Sequence, residues 1–151
     1  MKTPPRLKFA HLPTPIEHLP RLSEFLGGAQ IYVKRDDQTG LAFGGNKTRK
    51  LEFLVAEAQT QGAKTLISAG AAQSNHCRQT AAAAARYGFD CILVLTGEEP
   101  ARASANLLLD QLFGARIIWV TDRNDRDRIL AATYEQNLAE GGIPYLVPYG
   151  G

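Results

Sequence analysis

The sequence predicts an α/β protein on an open parallel sheet with helices on both faces, and three observations carry that prediction. From residue 46 onward, short apolar runs alternate with longer stretches whose apolar residues recur at helical spacing. The short runs are mostly apolar without strict alternation, as suits strands covered on both faces. Glycines at 62, 88 and 114 stop the helical stretches, so strand and helix follow one another in the rhythm of right-handed crossovers.

Taken in order, residues 1–20 carry prolines at 4, 5, 13, 15 and 20, which exclude a long helix and predict an extended arm laid over a larger body. His11 and His18 lie in this arm and read as structural. Residues 21–26 suit a short helix, Gly27 and Gly28 break it, and residues 31–34 read as a strand. Next comes the charged, glycine-punctuated stretch of residues 34–50, which runs straight into a helix predicted over 46–61 by Leu51, Leu54, Val55 and Ala58. The series then continues with a strand at 65–69, an alanine-rich helix at 77–87, a strand at 90–95 and a helix at 101–113. A strand at 116–120, a helix at 123–140 and a last strand at 144–147 complete it. Residues 148–151 end on a turn signal where another element is due, which reads as truncation.

The helix start after Gly44-Gly45 is the first candidate site. Asn46 stands at the N-cap position, and unpaired N–H groups with the positive dipole end favour an anionic group such as a phosphate. Lys47 and Lys50 share one face of that first turn. Cations there oppose the dipole preference, so local stability does not choose them. The second candidate follows the first predicted strand of the series, where residues 70–75 open the next helix and Ser74 or Gln73 falls near its cap. For Ser74 and Asn75 alone, simple capping explains the residue types. Thr14-Pro15, Asp36-Asp37 and residues 122–128 carry bland readings: a turn in the arm, a brace for the central turn, and a solvated helix start.

Composition narrows the function classes. The formal charge of +2 comes from 17 basic and 15 acidic residues spread along 151, so no polybasic block announces nucleic acid. No apolar run approaches the ~20 residues that span a bilayer, and the basic, proline-broken start lacks a signal-type core, so no membrane partner is expected and the cytoplasm is the expected compartment. Cys77 and Cys91 are too few and too far apart for a metal cluster or redox pair, and the histidines lack ligand spacing. No metal is expected.

With Lys34-Arg35-Asp36-Asp37, Gly44-Gly45-Asn46-Lys47-Thr48-Arg49-Lys50 and Gln73-Ser74-Asn75-His76 in view, the sequence resembles the fold-type-II pyridoxal phosphate enzymes, with their tryptophan synthase β-like fold. Within them it is similar to the D-cysteine desulfhydrase and 1-aminocyclopropane-1-carboxylate deaminase family. The likeness extends from His11-Leu12-Pro13-Thr14-Pro15 to Tyr149-Gly150-Gly151. It implies that Lys47 forms the Schiff base with pyridoxal 5'-phosphate, that Lys50 lies close to its phosphate with Asn46 beside them, and that Asn75 contacts the ring hydroxyl. Ser74, Asn75 and His76 would receive the substrate carboxylate, with Ser74 and Lys47 catalytic.

His76 departs from the deaminase pattern, which carries Gln there, and this favours a D-cysteine desulfhydrase-like activity with L-cysteate sulfo-lyase as the close competitor. On the residues alone His76 stays open between a surface residue, a substrate contact and a proton relay. The resemblance also implies a domain division, with residues 1–45 an arm and strand of the larger cofactor domain and residues 46–151 a smaller α/β domain. The rest of the larger domain, with the glycine-rich phosphate cradle, lies outside this chain. The expectation is a homodimer acting on a small amino acid as the complete protein, and an inactive segment by itself. Outside this family, a noncatalytic phosphate-binding module or a split-enzyme fragment fits the same helix starts.

Overall fold

The structure, a computed structural model, describes residues 4–148, so the turn expected at the end of the chain, from residue 149 on, lies outside the described residues. The N-terminal layer is small. Ile16–His18 (β1) pairs antiparallel with Tyr32–Lys34 (β2), and Pro20–Leu26 (α1) joins them, with Pro20 in the first turn and Gly27 in the left-handed conformation at the end. The arm is therefore not wholly extended coil: β1 forms between Pro15 and Pro20, short enough to avoid both.

The second layer matches the predicted rhythm. Lys47–Thr60 (α2) leads to Thr65–Ala71 (β3), Asn75–Tyr87 (α3), Asp90–Thr96 (β4), Ala105–Leu112 (α4), Arg116–Val120 (β5), Arg126–Ala139 (α5) and Pro144–Leu146 (β6). All four strands of this sheet are parallel, in the order β5-β4-β3-β6. The largest departures from the predicted helix ranges are the starts of α4 and α5. Residues 101–104 stay out of α4, which starts after Ser104, and Arg123–Asp125 forms a separate 3-10 turn ahead of α5, with the Asp122 carboxylate accepting from Asn124 N–H at 2.8 Å.

The order of strands places the ligand end of the sheet. The chain proceeds β3, β4, β5 in one direction and then returns by α5 to β6 on the other side of β3, so the direction of winding reverses between β3 and β6. Crevices at such reversals, beyond the carboxyl ends of the strands, are where open α/β sheets bind ligands. Because α2 feeds β3, its first turn lies at that same carboxyl edge, where α3 also begins.

The core sits between sheet and helices. Leu51, Val55, Ala58, Leu66, Ala81, Ala83, Ala84, Leu93 and Leu95 are fully buried in one cluster. The alanines of α3 let it lie close to the sheet beneath α2 and α4. Free Cys77 and Cys91 are both buried there, where burial pushes each thiol well above its usual range.

Candidate active site

The turn before α2 is built around glycine. Gly44 has φ +73°, and a Cβ there would lie 1.7 Å from the Asp37 carbonyl oxygen; at Gly45, φ +133°, it would lie 2.2 Å from Gln79 Nε2. Ala42 and Phe43 hold positive φ without being glycine, at 46° and 66°, so the turn carries backbone strain that its surroundings must sustain.

Those surroundings are polar and buried. The Gly44 carbonyl accepts from Arg78 Nη2 at 2.6 Å and from Gln79 Nε2 at 2.5 Å, while Thr48 Oγ1 donates to Gln79 Oε1 at 3.0 Å. Thr39, fully buried, accepts the Gly45 N–H on its hydroxyl at 2.9 Å. Asp36 braces the turn as predicted. Arg49 donates to both its carboxylate oxygens at 2.7 and 2.9 Å, and Thr14 Oγ1 donates at 2.9 Å. The Arg49 guanidinium, then the Thr14 hydroxyl, hold the Asp36 carboxyl down at about 2 against the opposing effect of burial.

The start of α2 departs from expectation. Asn46 does not cap the helix: its backbone is already helical and its side chain makes no cap hydrogen bond, accepting instead from Lys47 Nζ at 3.2 Å. The Thr48 and Arg49 N–H groups fold back onto the Gly45 and Asn46 carbonyls at 3.3 and 3.2 Å. The start of α2 therefore offers an anion its lysine amines more than its backbone. Lys47 and Lys50 are both half-buried, and Lys50 Nζ donates to the Pro148 carbonyl at 3.1 Å. Burial, followed by the charge of Lys47, lowers the pKa of Lys50.

The start of α3 is different. Ser74 has extended backbone and its Oγ accepts the Cys77 N–H at 3.3 Å, a true N-cap. The N–H groups of Asn75 and His76, first in the helix, have no acceptor within it. Gly70 permits the tight entry, since a Cβ there would sit 2.7 Å from Cys77 Sγ and 2.8 Å from Ser74 Oγ.

His76 is not a surface residue. It is 4% exposed, with Nε2 2.9 Å from Ser68 Oγ, and Ser68 donates its only proton to the Val147 carbonyl at 3.0 Å. The imidazole must therefore donate from Nε2, which leaves Nδ1 a bare acceptor, buried with no partner among the described residues. Burial, then the charges of Lys50 and Lys47, push its pKa down to about 4, so the ring is neutral.

Sequence reasoning missed the residues that hold these parts together: Thr39, Thr48, Ser68, Arg78, Gln79, Asn106 and Glu52. Glu52 ties the arm to α2, accepting from the Phe9 and Ala10 N–H groups at 2.8 Å each and pairing with Arg6 at 2.5 Å. A signal existed for Thr48 and Glu52, which share the buried helical stripe of Leu51 and Val55 although they are polar.

Residues 7–150 match the sequence model of one family, described as pyridoxal-phosphate dependent enzyme. The chain belongs to the pyridoxal-phosphate-dependent enzymes. It is 50% identical to a D-cysteine desulfhydrase of Salmonella typhimurium over 97% of its own length and 46% of that protein. It is 49% identical to a D-cysteine desulfhydrase of Salmonella paratyphi B with the same coverage. A crystal structure titled as that of an ACC deaminase homologue superposes with a TM-score of 0.86 at 41% identity, covering 98% of this chain and 45% of that one. The chain thus spans about half the length of the relatives it matches, and its architecture is the N-terminal part of a fold-type-II pyridoxal phosphate enzyme.

The residues of this pyridoxal-phosphate enzyme chain fit the family's cofactor. Lys47 presents an amine whose side-chain partner among the described residues is the neighbouring Asn46 amide oxygen, and Asn75 keeps its Nδ2 without a hydrogen bond among them. A half-buried pair of amines, a helix opening with spare N–H groups and an outward amide donor are the groups an anionic phosphate and a ring oxygen call for. Among the described residues no helix is long and apolar enough to cross a membrane.

Proposed function

We propose that this chain forms the lysine-bearing half of a pyridoxal phosphate-dependent lyase or deaminase that, as the complete protein, converts D-cysteine to pyruvate, sulfide and ammonia. The observation that supports it most is the meeting of the Lys47 turn with the Ser74-capped start of α3 at the carboxyl edge of the sheet, joined by the Arg78 and Gln79 bonds to Gly44. The cofactor, when bound, supplies a sink for the electron pair released at the substrate Cα.

Lys47 would hold the cofactor covalently, and its amine would move the substrate Cα proton. Lys50, with Asn46 beside it, would hold the cofactor phosphate, and Asn75 would donate to the ring hydroxyl. Ser74 and the helix N–H groups of Asn75 and His76 would receive the substrate carboxylate and orient its Cα–H bond. His76 supports this opening from beneath through Ser68. The 50% identity to a D-cysteine desulfhydrase favours that reaction, and the likeness to an ACC deaminase homologue keeps 1-aminocyclopropane-1-carboxylate as the alternative substrate. L-cysteate sulfo-lyase activity is the other competitor.

Residues 1–45 belong in this reading to the larger cofactor domain and residues 46–151 to the smaller one, in a cytoplasmic homodimer. The chain alone holds pyridoxal phosphate poorly, since the remaining pocket wall lies outside it. A titration followed through the visible absorbance of lysine-bound cofactor tests both statements. The complete protein shows the band and its Lys47→Ala variant does not, while the isolated chain shows little; a strong lysine-independent signal, or none in the complete protein, overturns the cofactor assignment. Assays with D-cysteine, L-cysteate and 1-aminocyclopropane-1-carboxylate then decide the substrate.

A further inference from the structure

Three polar side chains near the start of α3 form a chain in which every hydrogen bond has a forced direction. Arg78 begins it, because a guanidinium donates and never accepts. Its Nη1 donates to Asn106 Oδ1 at 3.0 Å. That fixes the Asn106 amide: Nδ2 lies on the far side and donates both to the Gln73 carbonyl at 2.8 Å and to Asn75 Oδ1 at 2.9 Å. Asn75 Oδ1 is thereby occupied, and its Nδ2 is left as the outward group.

The rest of the neighbourhood holds Asn106 in place. Its backbone N–H donates to Gln73 Oε1 at 2.9 Å, Gln73 Nε2 donates to the Ser104 carbonyl at 3.2 Å, and the preceding Ala105 adopts φ +48°, a conformation an alanine takes up only under constraint. Arg78 itself is buried, and its other terminal nitrogen donates to the Gly44 carbonyl of the lysine turn.

We infer that Asn106 is a positioning residue that sets the polarity of the Asn75 amide, so that a donor and not an acceptor faces the site. The inference rests on the pyridoxal phosphate reading in one respect, the identity of the group that Asn75 meets. A ring oxygen that carries negative charge is attracted by N–H and repelled by a carbonyl oxygen, so a reversed Asn75 amide replaces a charge-assisted hydrogen bond with a repulsion. Because Arg78 grips both Asn106 and Gly44, the same guanidinium also fixes the distance between this donor and the lysine turn.

The test is a double-mutant cycle on pyridoxal phosphate affinity in the complete protein. Asn106→Asp keeps the shape and the acceptor for Arg78 but has no N–H to give, so the Asn75 amide turns its Nδ2 toward the carboxylate and its oxygen toward the site. The expected result is a loss of roughly tenfold or more in affinity from Asn106→Asp, and under twofold from the same change in an Asn75→Ala background. An equal loss in both backgrounds, or none in the first, overturns the inference.

A cofactor-free measurement separates this result from the assignment of the cofactor. In the nitrogen-15-labelled protein the Asn106 side-chain amide protons exchange slowly and those of Asn75 fast; fast exchange at Asn106 overturns the polarity whatever ligand binds and whether or not the variants fold. A protein with no lysine-dependent cofactor band but a protected Asn106 amide refutes the cofactor reading and leaves the polarity standing.

Discussion

The turn leading into α2 is held from outside by Arg78 and Gln79, 34 and 35 residues away in sequence, whereas α3 begins on a serine that caps it from within. The first start lacks a working cap, since Asn46 is already helical, and its turn places Ala42 and Phe43 at positive φ. The second follows the local rule for a helix beginning and needs no strain at its cap. The difference teaches where each gets its geometry. The lysine turn is a tertiary product, fixed only when α3 is in place, and α3 is a local product that can serve as the template.

The hardest blow to this contrast is Gly44→Ala. Its Cβ would fall 1.7 Å from the Asp37 backbone, which no side-chain movement relieves, and φ +73° adds strain. The expected outcome is a loss of more than about 4 kcal/mol in urea unfolding, or failure to fold. A variant that unfolds within 1 kcal/mol of the parent would mean that the turn adapts freely and is not locked from outside.

Two buried titratable groups, His76 in α3 and Asp110 in α4, pull stability in opposite directions with pH. His76 is held down at about 4, so the unfolded chain takes up its proton first and stability falls as pH drops from about 6.5 toward 4. Asp110, fully buried with both carboxylate oxygens unpartnered among the described residues, is pushed up by burial to about 7, against the pull of Arg78. The folded chain therefore keeps that proton longer, and stability falls as pH rises from about 4 to 7. Each span corresponds to roughly 3–4 kcal/mol at most.

The parent should thus show a shallow profile between pH 4 and 7. Asp110→Asn should leave stability rising with pH, and His76→Gln should leave it falling. Denaturation midpoints across that range check the signs, and a parent profile unchanged by Asp110→Asn would mean that this carboxyl titrates normally.

Much of the fold was legible in the sequence because it rests on period and punctuation. Residues 117–120 are an apolar run between Gly114 and a polar turn, and the strand occupies them together with Arg116. What was illegible lies where long-range polar bonds replace local signals. Ser104 is an N-cap residue type that could have marked the start of α4, but the positive φ of Ala105 and the bonds of Gln73, 33 residues before Asn106, had no signal in residues 101–104. The lysines and the Ser-Asn pair stand out as candidates in the sequence because they break or exploit helix-end rules. Arg78, Gln79 and Asn106 were missed because on a helix such residues look solvated, and only their buried partners give them meaning.

A smaller test reads the buried network itself. Thr48 Oγ1 donates to Gln79 and lies 3.2 Å from Thr39 Oγ1, so Thr48→Val keeps the shape and leaves Gln79 Oε1 without its donor. The expected cost is about 1–3 kcal/mol, with a rise in exchange of the Gly45 amide, which Thr39 accepts. The same substitution on a locally determined turn would leave that amide protected.

The smallest effects bear most directly on the comparison, because they set the two caps side by side. Ser74→Ala removes the acceptor for the Cys77 N–H and should cost about 1 kcal/mol, the ordinary value of an N-cap. Asn46→Ala removes only the contact with Lys47 Nζ, a pair that is solvent-exposed, and should leave stability within about 0.5 kcal/mol. Thermal unfolding of the two variants in parallel measures the difference. Equal losses would mean that Asn46 stabilises the start of α2 as Ser74 does α3. The expected inequality follows from Asn46 φ −65°, ψ −20°, a backbone already inside the helix, from which its side chain makes no cap hydrogen bond.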